Sequence, residues 1–88
     1  MTRYLIEAPH TKEECLRNLD QTLAKGPDVL EKFYFGCDSG EHTAWAIVDA
    51  ENRSDAEKLL SDVAIKRRAR IVEVGKSTPQ DIRSMHEG

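Results

Sequence analysis

Aromatic residues are scarce in this chain, with one Trp, two Tyr and two Phe among 88 residues. The third strand-like segment offers only Trp45, so the paired aromatic platforms of RNA-binding sheets are missing. A basic excess is missing too: 13 Lys and Arg stand against 16 Asp and Glu, a net charge of −3 with a pI near 5.6. That balance argues against nucleic acid as a partner. No apolar run approaches the ~20 residues of a membrane span. The N-terminus lacks a basic, apolar, small-residue leader, so neither membrane insertion nor export is expected. Cysteine is limited to Cys15 and Cys37, with no CxxC pair and no disulfide framework. Both read as reduced thiols of a cytoplasmic protein. A glycine-rich phosphate loop is absent as well.

What is present is the composition of an ordinary globular chain, 39% hydrophobic and 33% charged. Its length suits one domain spanning residues 1–88, with a tail from about residue 77. Arg3 to Ala8 alternates Tyr4, Ile6 and Ala8 against Arg3, Leu5 and Glu7, which is the period of a strand. Pro9 ends it. Thr11 and Glu14 match a helix capping box, and Leu16, Leu19 and Leu23 recur at helical spacing until Gly26-Pro27. Asp28 to Lys32 suits one further turn. Phe33 to Cys37 reads as a second strand, Asp38-Ser39-Gly40 as a turn, and Thr43 to Ala50 as a third strand. Ser54 and Glu57 repeat the capping pattern ahead of a stripe of Ala56, Leu59, Leu60, Val63 and Ala64. Ile71 to Gly75 is the last strand, and Thr78-Pro79 opens a short tail helix.

The order β-α-β-β-α-β predicts an α+β fold of the ferredoxin-like kind. Its sheet is antiparallel with four strands in the order 4-1-3-2, and both helices lie on one face. Two helices cover only one face. Yet Leu5 sits beside Ile6, Phe33 beside Tyr34, and Trp45 and Ile47 beside Ala46 and Val48. An apolar face left open is rare on soluble monomers, so a homodimer through that face is expected. A tail folded back over the sheet is the alternative.

The whole chain resembles the dimeric α+β barrel group, in which two such sheets pack face to face. The segments Tyr4 to Cys15, Gly36 to Trp45 and Lys76 to Ile82 are similar to a family of small bacterial and archaeal proteins within it. The resemblance implies a fold and a dimer but not one activity, because this scaffold hosts oxygenases, isomerases and plain binding proteins. Haem-degrading members of the group use an Asn on the first strand, a Trp on the third and a His on the second helix. Trp45 matches the second of these. The other two are lacking here, which argues against haem degradation. No cofactor follows from the resemblance.

Topology gathers one group of residues that bear chemistry. His10 follows the first strand, Cys37 ends the second and His42 precedes the third, so all three belong to the same end of the sheet. Asp38 and Glu41 share their loop, and the first helix directs its N-terminus there. A cysteine flanked by histidines suits a low-pKa nucleophile. The same three residues, His10, Cys37 and His42, also suit a zinc-like ion with an open fourth position. The plain alternative is a small buried thiol with two loop-capping histidines. Trp45 and Tyr4 complete the candidate wall of a small-molecule pocket between sheet and helices, although either also suits core or dimer packing. By parity Trp45 and His42 fall on opposite faces, which makes Trp45 the weakest member.

Cys15, beside the leucine stripe, reads as core. The basic run Lys66-Arg67-Arg68-Ala69-Arg70 reads as a solvated helix end, or as a dock for an anionic partner. His86 reads as exposed. The functional expectation is a small-molecule binding protein or enzyme, with a non-catalytic dimeric module as the alternative.

Overall fold

A computed structural model describes residues 1–87; Gly88, the end of the expected tail, lies outside the described residues. Strand β1 (Thr2–Pro9) is followed by helices α1 (Cys15–Ala24) and α2 (Pro27–Glu31). Strand β2 (Phe33–Phe35), a one-turn 3-10 helix (Cys37–Ser39) and strand β3 (Thr43–Ala50) come next. Helices α3 (Arg53–Glu57) and α4 (Val63–Arg68), strand β4 (Arg70–Glu73) and helix α5 (Pro79–Glu87) complete the chain. The sheet is antiparallel throughout, in the order β2-β3-β1-β4. This is the expected 4-1-3-2 order read from the other edge.

Strand alternation decides what is buried. Tyr4, Ile6 and Ala8 on β1 and Ala44, Ala46, Val48 and Ala50 on β3 are buried, and they pack with Ala56 of α3, Ile65 of α4 and Leu60 between those helices. Ile6 and Ile65 are wholly buried. A fully buried side chain of that size contributes about 1.5–3 kcal/mol through apolar transfer. The intervening residues lie on the outer face, where Ile47 keeps 60% and Tyr34 75% of its surface exposed.

Two helical expectations need correction. The second helix is broken: Asn52 caps α3 by accepting from the Asp55 N–H, and Asp62 caps α4 by accepting from the N–H groups of Ala64 and Ile65. The cap is therefore Asn52 and not Ser54. The Asp62 side chain takes the backbone N–H groups of a new first turn and restarts the helix, in which Ile65 is buried while Val63 is exposed. Helix α1 is also turned from its leucine stripe. Leu16 is 69% exposed and Leu23 52%, whereas Asn18 and Thr22 are buried.

The cause of that turn lies at the start of α1. The Thr11–Glu14 box forms, with the Thr11 N–H donating to Glu14 Oε1 at 2.8 Å and the Glu14 N–H to Thr11 Oγ1 at 3.2 Å. Arg17 then pairs with Asp62 at 2.6 Å and Arg68 with Glu14 at 2.7 Å, which fixes the rotation of the helix against α4. The buried Thr22 hydroxyl is satisfied by donating to the Asn18 carbonyl at 2.8 Å. Within the basic run, Arg68 is thus an intramolecular ion-pair partner.

Gly26, at φ 125°, separates α1 from α2 in a conformation that only glycine adopts readily. Helix α5 begins as expected, with the Thr78 N–H donating to Asp81 Oδ2 and Pro79 at its first position. None of its residues is buried. Among the described residues no helix is long and apolar enough to cross a membrane.

Candidate functional site

Sheet register builds the site. Strands β1 and β3 pair from Thr2 opposite Ala50 to Pro9 opposite Thr43. One further step sets His10 opposite His42, and the His10 N–H donates to the His42 carbonyl at 2.9 Å. Strands β2 and β3 pair Phe35 with Ala44, and the Gly36 N–H donates to the Thr43 carbonyl at 3.0 Å. Cys37 then opens the 3-10 helix, and His42 directly precedes β3. His10 and His42, each one step beyond the paired residues Pro9 and Thr43, keep the parity of Ala8 and Ala44 on the face that the helices cover.

The connecting loop is tightly built. The Gly36 carbonyl accepts from the N–H groups of Ser39 and Glu41, and the Gly40 N–H donates to the Cys37 carbonyl, each at 3.0 Å. A Cβ at Gly36 would meet the Glu41 carbonyl oxygen at 2.6 Å and the Trp45 ring at 3.0 Å. Only glycine fits there.

His10 Nε2 lies 3.2 Å from Cys37 Sγ, and His10 Nδ1 lies 3.4 Å from the Ala8 carbonyl oxygen. The rings of His10 and His42 meet edge to face with centroids 6.1 Å apart. Cys15, the first residue of α1, supplies a fourth group. One ligand atom from each of His10, Cys15, Cys37 and His42 lies within 4.8 Å of each of the others. His10 is buried and the other three are half-buried. His42 Nδ1 is buried and has no hydrogen-bond partner among the described residues.

The electrostatics oppose an activated thiol. Burial, then a hydrogen bond and charge from Cys15, then the charge of Asp38 push the Cys37 thiol up to about 11. A nucleophilic cysteine needs the opposite shift.

The structure therefore brings His10, Cys37 and His42 together and leaves Trp45 and Tyr4 elsewhere. Trp45 is on the outer face, where its indole N–H donates to Glu7 Oε1 at 3.4 Å. It lines a groove of about 390 Å³ with Leu5, Tyr34, Ile47, Glu31 and Lys32. Tyr4 is buried in the core opposite Val48, near the other end of β1 and roughly 20 Å along the strand from His10. The member that sequence reasoning missed is Cys15, assigned to the core. Its signal was a mirrored spacing, His10-x4-Cys15 and Cys37-x4-His42. No family model matches this sequence, and comparison with curated proteins and with solved structures gives no match either.

Proposed function

We propose that the protein is a small ligand-binding module whose binding centre is the thiol–imidazole cluster at the β1 and β2–β3 end of the sheet. The observation that carries this reading is the convergence of four donor atoms within 4.8 Å while the buried His42 Nδ1 has no partner among the described residues. Buried polar atoms without partners are costly, and a bound ligand removes the cost. Binding is favoured over covalent catalysis because Cys37 is held in its neutral thiol form. Both cysteines are free, and the centre serves only while they stay reduced, so the reading implies a cytoplasmic or otherwise reducing compartment.

Thermal-shift screening against metal ions and small organic ligands tests it. A ligand present at a hundred times its Kd stabilises by about 2.7 kcal/mol, roughly 10–20 °C for a domain this size. The shift is expected in the wild type and is lost in His42→Gln. A shift untouched by substitutions at His10, Cys15, Cys37 and His42 overturns the reading.

The outer face supports a second element, a homodimer of the face-to-face kind that the sequence resemblance implies. Leu5, Tyr34, Trp45 and Ile47 form an apolar surface across three strands, with Tyr34 and Ile47 largely exposed. A second copy about a two-fold axis covers such a surface economically. Sedimentation at twice the chain mass of 10.0 kDa is the expected result.

A further inference from the structure

Resting on the binding reading above, we infer that the ligand of the cluster is a divalent transition metal ion of the zinc class, held by His10, Cys15, Cys37 and His42. The donor set comes first. Two sulfurs and two imidazole nitrogens with no carboxylate among them disfavour magnesium and calcium, which take oxygen ligands. They match the tetrahedral sites of zinc. The geometry is nearly made: the four atoms lie within 4.8 Å of one another, against edges of about 3.3–3.8 Å in a tetrahedron with Zn–N near 2.0 Å and Zn–S near 2.3 Å. Contraction by about 1 Å completes it. Rotamer adjustment of four side chains on elements already in place achieves that.

The surroundings agree. His10 Nδ1 faces the Ala8 carbonyl oxygen at 3.4 Å, which suits a donated N–H and leaves the Nε2 lone pair aimed at Cys37 Sγ and the centre. Backbone carbonyls commonly fix metal-binding histidines in this way. A dication with two thiolates and two neutral imidazoles has no net charge, so it can occupy a half-buried position without a further counter-ion. The ion would also give a partner to the imidazole of His42, whose buried Nδ1 has none among the described residues, and would hold both cysteines as thiolates.

The chain segments suit a structural clasp. His10 directly follows β1, Cys15 begins α1, and Cys37 and His42 lie in the β2–β3 connection. One ion therefore ties the first crossover helix to the central hairpin. With four protein ligands no position remains for a substrate or a hydrolytic water, which makes the centre structural rather than catalytic. The mirrored spacing places each pair at the two ends of a short turn, a local arrangement from which both side chains can reach one point.

Cobalt(II) titration of the reduced, metal-free full chain is the test. One equivalent per chain is expected to give the intense ligand-field bands of tetrahedral cobalt together with thiolate-to-cobalt charge transfer. Zinc is expected to bleach both. X-ray absorption of the zinc-loaded wild type is expected to show two sulfurs near 2.3 Å and two nitrogens near 2.0–2.1 Å. Cys15→Ser, confirmed as folded by circular dichroism, is expected to weaken zinc at least about a hundredfold, the upper range for losing even an outer-shell partner. Weak octahedral-type cobalt spectra, an oxygen and nitrogen shell around zinc, or unchanged affinity in Cys15→Ser each overturn the metal assignment. If instead a metal-free organic ligand shifts the melting temperature and His42→Gln abolishes the shift, the binding reading stands and the metal inference fails.

Discussion

Arg68 Nη2 reaches both carboxylate oxygens of Glu14, at 2.7 and 2.8 Å, across 54 residues of sequence. Glu14 immediately precedes Cys15, so this contact and the Thr11–Glu14 box determine where α1 begins and which way its first residue faces. The Arg68 hydrogen bonds, followed by the Thr11 backbone N–H, hold the Glu14 carboxyl down to about 2, against 4.5 ordinarily. A carboxyl depressed in the folded state contributes stability that is present above its unfolded pKa and is lost as pH falls toward the folded value. The melting temperatures of wild type and Glu14→Gln should therefore differ at pH 6 and converge between about pH 4.5 and pH 2. A difference that stays constant across that range removes Glu14 as the cause. High salt should shrink it, because the pair is partly exposed to water.

Cys37 behaves in the opposite sense. Its thiol is raised from 9.0 to about 11, by burial first and by the neighbouring Cys15 second. Alkylation of Cys37 in the metal-free protein should be slow at neutral pH and accelerate only as pH rises toward 11. Cys15→Ser removes the neighbouring thiol but not the burial, so the midpoint should fall only part of the way. The stability linked to this group is fully present below pH 9 and declines as pH climbs from 9 to 11, since there the unfolded chain gives up the proton first. A midpoint below 9.0, the starting value, would reverse the assignment and restore the nucleophile.

Much of this arrangement was legible in the sequence, and the residues show why. Strand order alone brings His10, Cys37 and His42 to one end of the sheet, and parity sets Trp45 on the opposite face from His42, because side chains alternate with period two. Tyr4 was misplaced for want of a distance along the strand: it shares the right face but lies toward the wrong end. Cys15 was hidden by the leucines. Apolar spacing on α1 points to Leu16, Leu19 and Leu23 as the core stripe, and nothing local reveals that Glu14 and Arg17 will be held by Arg68 and Asp62 from α4. Tertiary ion pairs overrode periodicity. The break between α3 and α4 was missed for a related reason: a stripe of Ala and Leu tolerates a restart that only the caps at Asn52 and Asp62 disclose.

Gly36 offers a test of the loop that carries Cys37 and His42. Its φ of −92° is open to any residue, so the restriction is steric and not torsional. A methyl group there would sit 2.6 Å from the Glu41 carbonyl oxygen, a backbone atom that cannot turn aside. Gly36→Ala should cost about 1–3 kcal/mol, the usual range for overpacking, and lower the melting temperature by roughly 5–20 °C. Because Gly36 also anchors the turn through Ser39 and Glu41, the substitution should weaken metal or ligand binding as well. Gly40→Ala strains a φ of 86° with open space around it, so it isolates the torsional cost of the same loop. Loss of binding in Gly36→Ala with unchanged stability would mean that the loop positions the site without supporting the fold.

Ile47 separates association from folding. It lies on the outer face of central strand β3, 60% exposed in the single chain, while the adjacent Ala46 and Val48 point into the core. Ile47→Asp should therefore leave the fold of one chain almost unchanged, since surface substitutions away from special features usually stay within about 0.5 kcal/mol. In a face-to-face dimer the same carboxylate would be buried twice about the symmetry axis, unpaired and close to its symmetry mate. Desolvating a charge without a partner is strongly unfavourable. Sedimentation should then show the variant at the chain mass of 10.0 kDa and the wild type at twice that at equal concentration. Trp45, paired across strands with Tyr34 and bonded to Glu7, sits beside Ile47's surface and reports the change optically. Its fluorescence should shift to the red as the covered indole meets water. A wild type that sediments at the single-chain mass, with Trp45 emission the same in both proteins, would show that the open face is tolerated uncovered.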